Sequence, residues 1–290
     1  MVLRTVLLLL ACALAPALAQ DEPWPVARVD VDLSQPDPEA PFWANVAPLE
    51  LSLMAQPMIR PRPLQANTPA LSVQIVHDGT QVALRLSWRD LEKSEAGKLG
   101  EYSDGAAVQF PMTPGESPPP IFMGAKGMPV HIFQWRAQYQ RDAERGKPTM
   151  AELYPNMSID LYPMEYADPG RVDPPIAARE QFSPGRAVGN PQSSAKSGVD
   201  EIWAEGFSTS SVQESVASGH GVFKDGAWSL VIVRPMQRPG GSSFQPGDTT
   251  FAAFAVWQGG EGEVASRKSV TMSWTPLRFE ATDAVVPAAP

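Results

Sequence analysis

Short runs of alternating apolar and polar residues, cut off by glycine, proline and aspartate, constrain this chain more than any other feature. The runs 71–76 and 81–88 flank His77-Asp78-Gly79-Thr80 as a strand–turn–strand signal. Side chains in a strand alternate between its two faces. Val82, Leu84, Leu86 and Trp88 therefore share one face, and Arg85 and Ser87 take the other. Residues 220–224 and 227–233 repeat the pattern around Asp225-Gly226, a pair suited to a tight two-residue turn. Segments 106–110, 130–135, 250–257 and 269–274 read as further strands, with 50–54 a further candidate. No long stretch carries helical periodicity. Regular strands with turn signals imply an all-β, antiparallel sandwich or barrel.

Proline marks where that regularity stops. Four of the 31 prolines fall in 56–69, which reads as a loop, and the stretch 146–197 is proline-rich throughout. So long an irregular excursion inside a compact domain is usually functional or contacts a partner. Residues 281–290 are small, apolar and proline-ended, and read as a flexible tail. One domain over residues 20–280 accounts for the remainder, and no internal repeat is visible.

Residues 1–19 have a secretory signal's layout: Arg4 in a short basic region, an apolar core, and Ala17-Leu18-Ala19 as a cleavage box. No twin arginine precedes the apolar core, so the general secretion route is expected. Leu9-Leu10-Ala11-Cys12 loosely resembles a lipidation box, with a very short apolar region before it. Cys12 is the only cysteine, so cleavage after Ala19 leaves a chain without thiols. Disulfides, thiolate nucleophiles, cysteine-held clusters and covalently attached c-type haem are thereby excluded. No second apolar run approaches the ~18 residues that span a bilayer. A net charge of −9 disfavours nucleic acid and suits a basic partner.

Conventional catalytic signatures are missing. The three histidines, His77, His131 and His220, show no paired spacing, and no zincin, serine-hydrolase, P-loop or dinucleotide motif occurs. A serine–histidine–aspartate site assembled from distant positions has no signal in its favour. A cysteine-free route to a redox cofactor remains, because haem iron accepts methionine, histidine or lysine donors. The segment 118–135 has the right materials. Met123 lies between Phe122 and Gly124 behind a proline run, and Gly124 would let a large planar group approach the backbone. By residue type alone, Met123 reads as core filler.

Ile121-Phe122-Met123-Gly124 followed by Pro129-Val130-His131-Ile132-Phe133-Gln134-Trp135-Arg136 resembles the haem b-binding gamma subunit of the type II dimethyl sulfoxide reductase family. That family includes ethylbenzene and dimethyl sulfide dehydrogenases and chlorate and selenate reductases. The likeness continues through Tyr154-Pro155-Asn156, 160–163, 185–191, 204–207, 226–228, 233–235, 254–257 and 267–274, so it spans roughly residues 28–278. It implies a β-sandwich with a haem b pocket at one end and one methionine and one lysine as axial ligands. The family's methionine falls on Met123, with Met128 as the fallback. Lys268, in the Arg-Lys-Ser element, is the favoured lysine, and Lys224 the fallback. Lys126 is too near Met123 to reach the opposite face. Arg136, Arg186 and Arg234 are candidates to pair with haem propionates, and Asn156 and Asn190 to shape a subunit interface. With both axial positions filled the iron has no open site, so the resemblance implies electron transfer and no catalysis by this chain. The implied partners are an iron–sulfur subunit, a molybdopterin catalytic subunit, and a soluble carrier such as cytochrome c, in the periplasm. The competing reading is a non-catalytic module that grips carbohydrate or another ligand with exposed tryptophans.

Overall fold

A computed structural model describes residues 22–95, 98–113, 117–148, 150–156, 188, 198–206, 208–281 and 285–286. Residues 1–21, including Cys12 and the expected secretory signal, most of 157–197 including Arg186 and Asn190, and most of 281–290 lie outside them.

The strands are β1 (Trp24–Val29), β2 (Leu49–Ser52), β3 (Met54–Ala55), β4 (Ala70–His77), β5 (Gln81–Arg89), β6 (Gly105–Pro111), β7 (Val130–Arg136), β8 (Val199–Ala204), β9 (Ser210–Gln213), β10 (Ser218–Lys224), β11 (Ala227–Pro235), β12 (Thr249–Trp257), β13 (Ser269–Val270), β14 (Thr275–Phe279) and β15 (Val285–Val286). Two helices, α1 (Ala137–Arg145) and α2 (Met150–Leu153), follow β7. The first layer runs β10-β11-β5-β4, with β2 against β4. The second runs β12-β6-β7-β8-β9, with β13 beside β12 and β3 beside β13. β1 and β14 join the layers, because β1 pairs with both β4 and β14 while β14 pairs with β12.

Both expected hairpins form. β4 and β5 pair antiparallel, as do β10 and β11. Asp225 and Gly226 take φ of 52° and 72°, which the tight connection requires. Every pairing among strands of the two layers is antiparallel, as read from the sequence. The exception is β1, which runs parallel to β4, β14 and β15. The expected strand 269–274 is shorter than its reading. β13 ends at Val270, and a separate strand, β14, begins at Thr275.

The alternation sorts residues as expected. Val82, Leu84, Leu86 and Trp88 enter the core with Val73, Ile75, Leu230 and Ile232 of their own layer. They meet Val108, Phe110, Phe133, Trp135, Phe254 and Val256 from the other. Trp88 stacks on Trp228 at 6.2 Å, and Trp135 stands edge-on to Trp228 at 5.0 Å. A smaller cluster of Val29, Leu33, Trp43, Val46, Ala83 and Val231 covers the outer face of the first layer. On the outer face of the second layer Ala107, Val130, Ile132, Ala204 and Trp257 form a third, smaller cluster, with Met123 and Trp274 packed against it, and the site lies there.

Candidate functional site

The outward face of the second layer mixes small residues with longer polar and aromatic ones. On β6 they are Gly105, Ala107 and Gln109. On β12 they are Ala253, Ala255 and Trp257, and on β7 Ile132, Gln134 and Arg136. Register sets the small ones side by side, with Ala107 opposite Ala255 and Gly105 opposite Trp257. These positions form the floor of a cavity of about 700 Å³, within the size range of cofactor pockets. Its walls come from loops, notably Met58 and Ile59, Tyr102 and Ser103, Ile121 to Met123, Glu263 to Ser266, and Lys268.

Met123 and Lys268, remote in sequence, line this one cavity. Met123 holds a left-handed backbone, φ 64°, which an L-residue adopts at a cost of ~1 kcal/mol or more. Its neighbours fix it there. Gly206 N–H donates to the Met123 carbonyl at 2.7 Å, and Met123 N–H donates to the Ile121 carbonyl at 3.0 Å. Gln109, from the floor, donates its amide to the same Ile121 carbonyl at 2.5 Å. Trp274 Nε1 anchors the preceding proline run by donating to the Pro119 carbonyl at 2.7 Å. A positive-φ side chain held from several sides is the sort of strain that functional positions keep.

Lys268 directly precedes β13, and its carbonyl accepts from Gln56 N–H at 2.9 Å. Its Nζ lies 4.7 Å from the centre of the Trp257 ring. Burial pushes its amine down to about 8, and among the described residues no carboxylate forms a salt bridge with it. An amine so placed gives up its proton far more readily than a surface lysine.

Arg136 stands at the cavity edge, its side chain about one-third exposed. Its Nη1 donates to Tyr139 Oη at 2.9 Å, and Asp200 lies 3.9 Å away. The other sequence candidates fall elsewhere. Gly124 is buried outside the lining, at φ 72°. A β-carbon there would meet the Met128 carbonyl oxygen at 2.5 Å, so the turn itself requires glycine. Met128 is 42 % exposed and Lys224 sits exposed at the hairpin on the opposite layer, neither in the lining. Arg234 is buried in the core, where its guanidinium donates to Ser242 and to the Met236 carbonyl, so it does not reach the cavity as a propionate partner. Asn156 is exposed. None of the three histidines lines the cavity.

The donor set suits a large apolar metal complex. The floor admits a planar group, a soft thioether and a readily deprotonated amine reach the same space, and a guanidinium stands at the edge. What sequence reasoning missed is the floor. Ala107, Ala253 and Ala255 are small by residue type, but only pairing brings them together.

A family model described as "Ethylbenzene dehydrogenase" matches residues 40–269. A Haloferax mediterranei protein provisionally named a respiratory nitrate reductase heme subunit is 25 % identical over 94 % of this chain and 80 % of its own length. The chlorate reductase subunit gamma of Ideonella dechloratans is 26 % identical over 74 % of this chain and 66 % of its own. The dimethylsulfide dehydrogenase subunit gamma of Rhodovulum sulfidophilum is 24 % identical over 87 % and 78 %. The match over most of the folded chain, including the Met123 loop and Lys268, means that this protein belongs to the ethylbenzene dehydrogenase family, among the gamma subunits of type II dimethyl sulfoxide reductase-like enzymes.

Proposed function

We propose that this chain is the haem b electron-transfer subunit of a periplasmic molybdenum oxidoreductase. In this reading it relays electrons between an iron–sulfur subunit and a soluble carrier such as cytochrome c, while catalysis belongs to a separate molybdopterin subunit. The observation that carries the reading is the convergence of Met123 and Lys268 on one apolar cavity, with Lys268 free of any carboxylate salt bridge among the described residues. Bound haem would supply a one-electron change at its iron. The chain's own residues do the rest. Met123 presents its thioether from a loop held rigid by Gln109 and Gly206, and Lys268 presents an amine that burial makes easier to deprotonate. Ala107 and Ala255 leave room for the ring, and Arg136 meets carboxylates at the edge. Held by both Met123 and Lys268, the group would have no coordination position left for a substrate, in keeping with a non-catalytic subunit.

The carbohydrate-binding alternative loses its support at the tryptophans. That reading relies on exposed tryptophans, whereas Trp24, Trp203 and Trp274 are half-buried and the other five are buried.

A visible spectrum of protein purified from periplasm with haem supplied tests the reading. A reduced b-type band is expected, shifted or abolished by Met123→Ala and by Lys268→Ala. A folded, haem-supplied protein without that band would sink it. A band lost in Lys224→Ala and kept in Lys268→Ala would move the ligand to the other lysine.

A further inference from the structure

Lysine usually carries its ammonium out to water along a flexible stem. Lys268 instead is half-buried and lines the cavity, with Nζ 4.7 Å from the centre of the Trp257 ring. Among the described residues, no salt bridge or hydrogen bond engages that Nζ. An aromatic face is electron-rich and attracts a cationic head set over it. The indole of Trp257, which also belongs to the cavity floor, is therefore what the amine rests against.

That indole is itself fixed. Its Nε1 donates to the Ala265 carbonyl at 3.0 Å, and Ala265 holds a left-handed backbone, φ 53°. Across the register stands Gly105, where a β-carbon would meet the Trp135 carbonyl oxygen at 2.9 Å and come within 3.8 Å of the indole's Cε3. The main chain around Lys268 is pinned by other bonds. Its carbonyl accepts from Gln56 N–H at 2.9 Å, and Arg267 N–H donates to the Val264 carbonyl at 2.9 Å. Earlier in the same loop, Glu263 accepts from Gln258 N–H at 2.8 Å and from Asn67 Nδ2 at 3.2 Å. With the backbone held this way, the ring face is left to set where the head of the lysine lies.

We infer that Trp257 is the positioning residue for Lys268: its indole face holds the amine inside the cavity of the ligand-free protein, so that the lysine is in place when a haem arrives. The inference deepens the electron-transfer reading and rests on it for the haem, whereas the contact between ring and amine stands without it. Lacking the ring, the lysine stem would carry its head out to solvent. The floor of Gly105, Ala107, Ala253 and Ala255 would still admit a planar group. Loss of Trp257 should therefore change how the iron is held while haem still binds. A merely structural tryptophan would give the reverse, weaker binding with the same axial pair.

Two measurements test the assignment, the first without haem. In the haem-free protein, nuclear magnetic resonance should show the Lys268 Cε protons shifted upfield by the ring current of Trp257, a signal identified by its loss in Lys268→Met. The shift should vanish in Trp257→Leu and persist in Trp257→Phe, which keeps a ring face and drops the bond to Ala265. An unshifted Lys268 in the wild type would overturn the assignment by itself, even if Trp257→Leu does not fold. The second measurement is the electron paramagnetic resonance spectrum of the ferric haem-loaded protein, which reports the axial pair. Trp257→Leu should bind haem and give the spectrum of Lys268→Ala although its lysine is present, and Trp257→Phe should match the wild type. A leucine variant that keeps the shift or the wild-type spectrum refutes the positioning role, as does a phenylalanine variant that fails as leucine does. Folded wild type that never loads haem, or a Lys268→Ala spectrum equal to the wild type, strikes the electron-transfer reading and its choice of lysine. The resonance result still decides the contact between Trp257 and Lys268.

Discussion

Lys268 shows how one side chain can be costly to the fold and useful to the site. Its amine falls from 10.5 to about 8 because burial penalises the charged form. Between those values the unfolded chain binds more protons than the folded one, so stability rises with pH across that window. The ligand-free protein should therefore melt at higher temperature as pH climbs from 8 to 10.5, and Lys268→Met should abolish that rise. At neutral pH the same variant should be more stable by on the order of 2 kcal/mol. The full shift would suggest more, but a half-buried side chain keeps part of its solvent. Thermal melts of both proteins over pH check it, and an unchanged pH profile in the variant would refute it. The sequence identified Met123 and Lys268 through family resemblance. It could not foretell the left-handed backbone of Met123, since that depends on partners in distant loops.

At the scale of elements, the cavity is a property of two strand faces. β6 and β12 each send one face into the core and carry Gly105, Ala107, Ala253 and Ala255, beside Gln109 and Trp257, on the other. Ala107→Leu and Ala255→Leu should fill the floor while leaving the core face untouched. The expected result is a folded protein, by far-ultraviolet circular dichroism, whose haem affinity drops about tenfold to hundredfold, from ~1–3 kcal/mol of overpacking. Unchanged haem titration would remove the floor from the site. Both strands were legible from their alternation. The elements that escaped notice were those whose pattern a local signal spoils. β1 and β14 each contain a proline, Pro25 and Pro276, which demotes a strand on sequence grounds. β8 turns Glu201 inward, so its alternation reads as polar. α1 has only nine residues, too few for helical periodicity to stand out.

For the molecule as a whole, that inward glutamate is a clamp. Glu201 Oε1 lies 3.0 Å from His131 Nε2 and accepts from Arg238 Nε at 2.8 Å, while Oε2 accepts from Val216 N–H at 3.1 Å. Ser242 N–H donates to His131 Nδ1 at 3.1 Å, which leaves the ring proton on Nε2, facing Glu201. Arg234, from the other layer, donates to Ser242 Oγ at 2.6 Å, so the network ties β7 and β8 to β11. Burial opposes ionisation of Glu201, but its hydrogen bonds to His131, Arg238 and Val216 outweigh that and hold it at about 2, below the usual 4.5. Stability from this depressed carboxyl is fully present above 4.5 and is lost as pH falls towards 2. Glu201→Ala should cost about 3–5 kcal/mol at neutral pH in urea unfolding, because it strands buried partners. The variant should also lose that acid-dependent part of the stability profile. A cost below ~1 kcal/mol would show that the network adds little.

The sequence by itself determined the strand-rich class and both hairpins, and pointed to Met123 and Lys268, which line one cavity. Period-two alternation, turn residues and family motifs are written in neighbouring positions. The tertiary structure alone decided that alanines on β6 and β12 become one floor and that prolines do not bar β1 and β14 from joining the layers. It also decided that Arg234 belongs to a clamp and not to the cavity. These depend on strand register and burial, which arise only when residues far apart in the chain are paired and water is removed from between them.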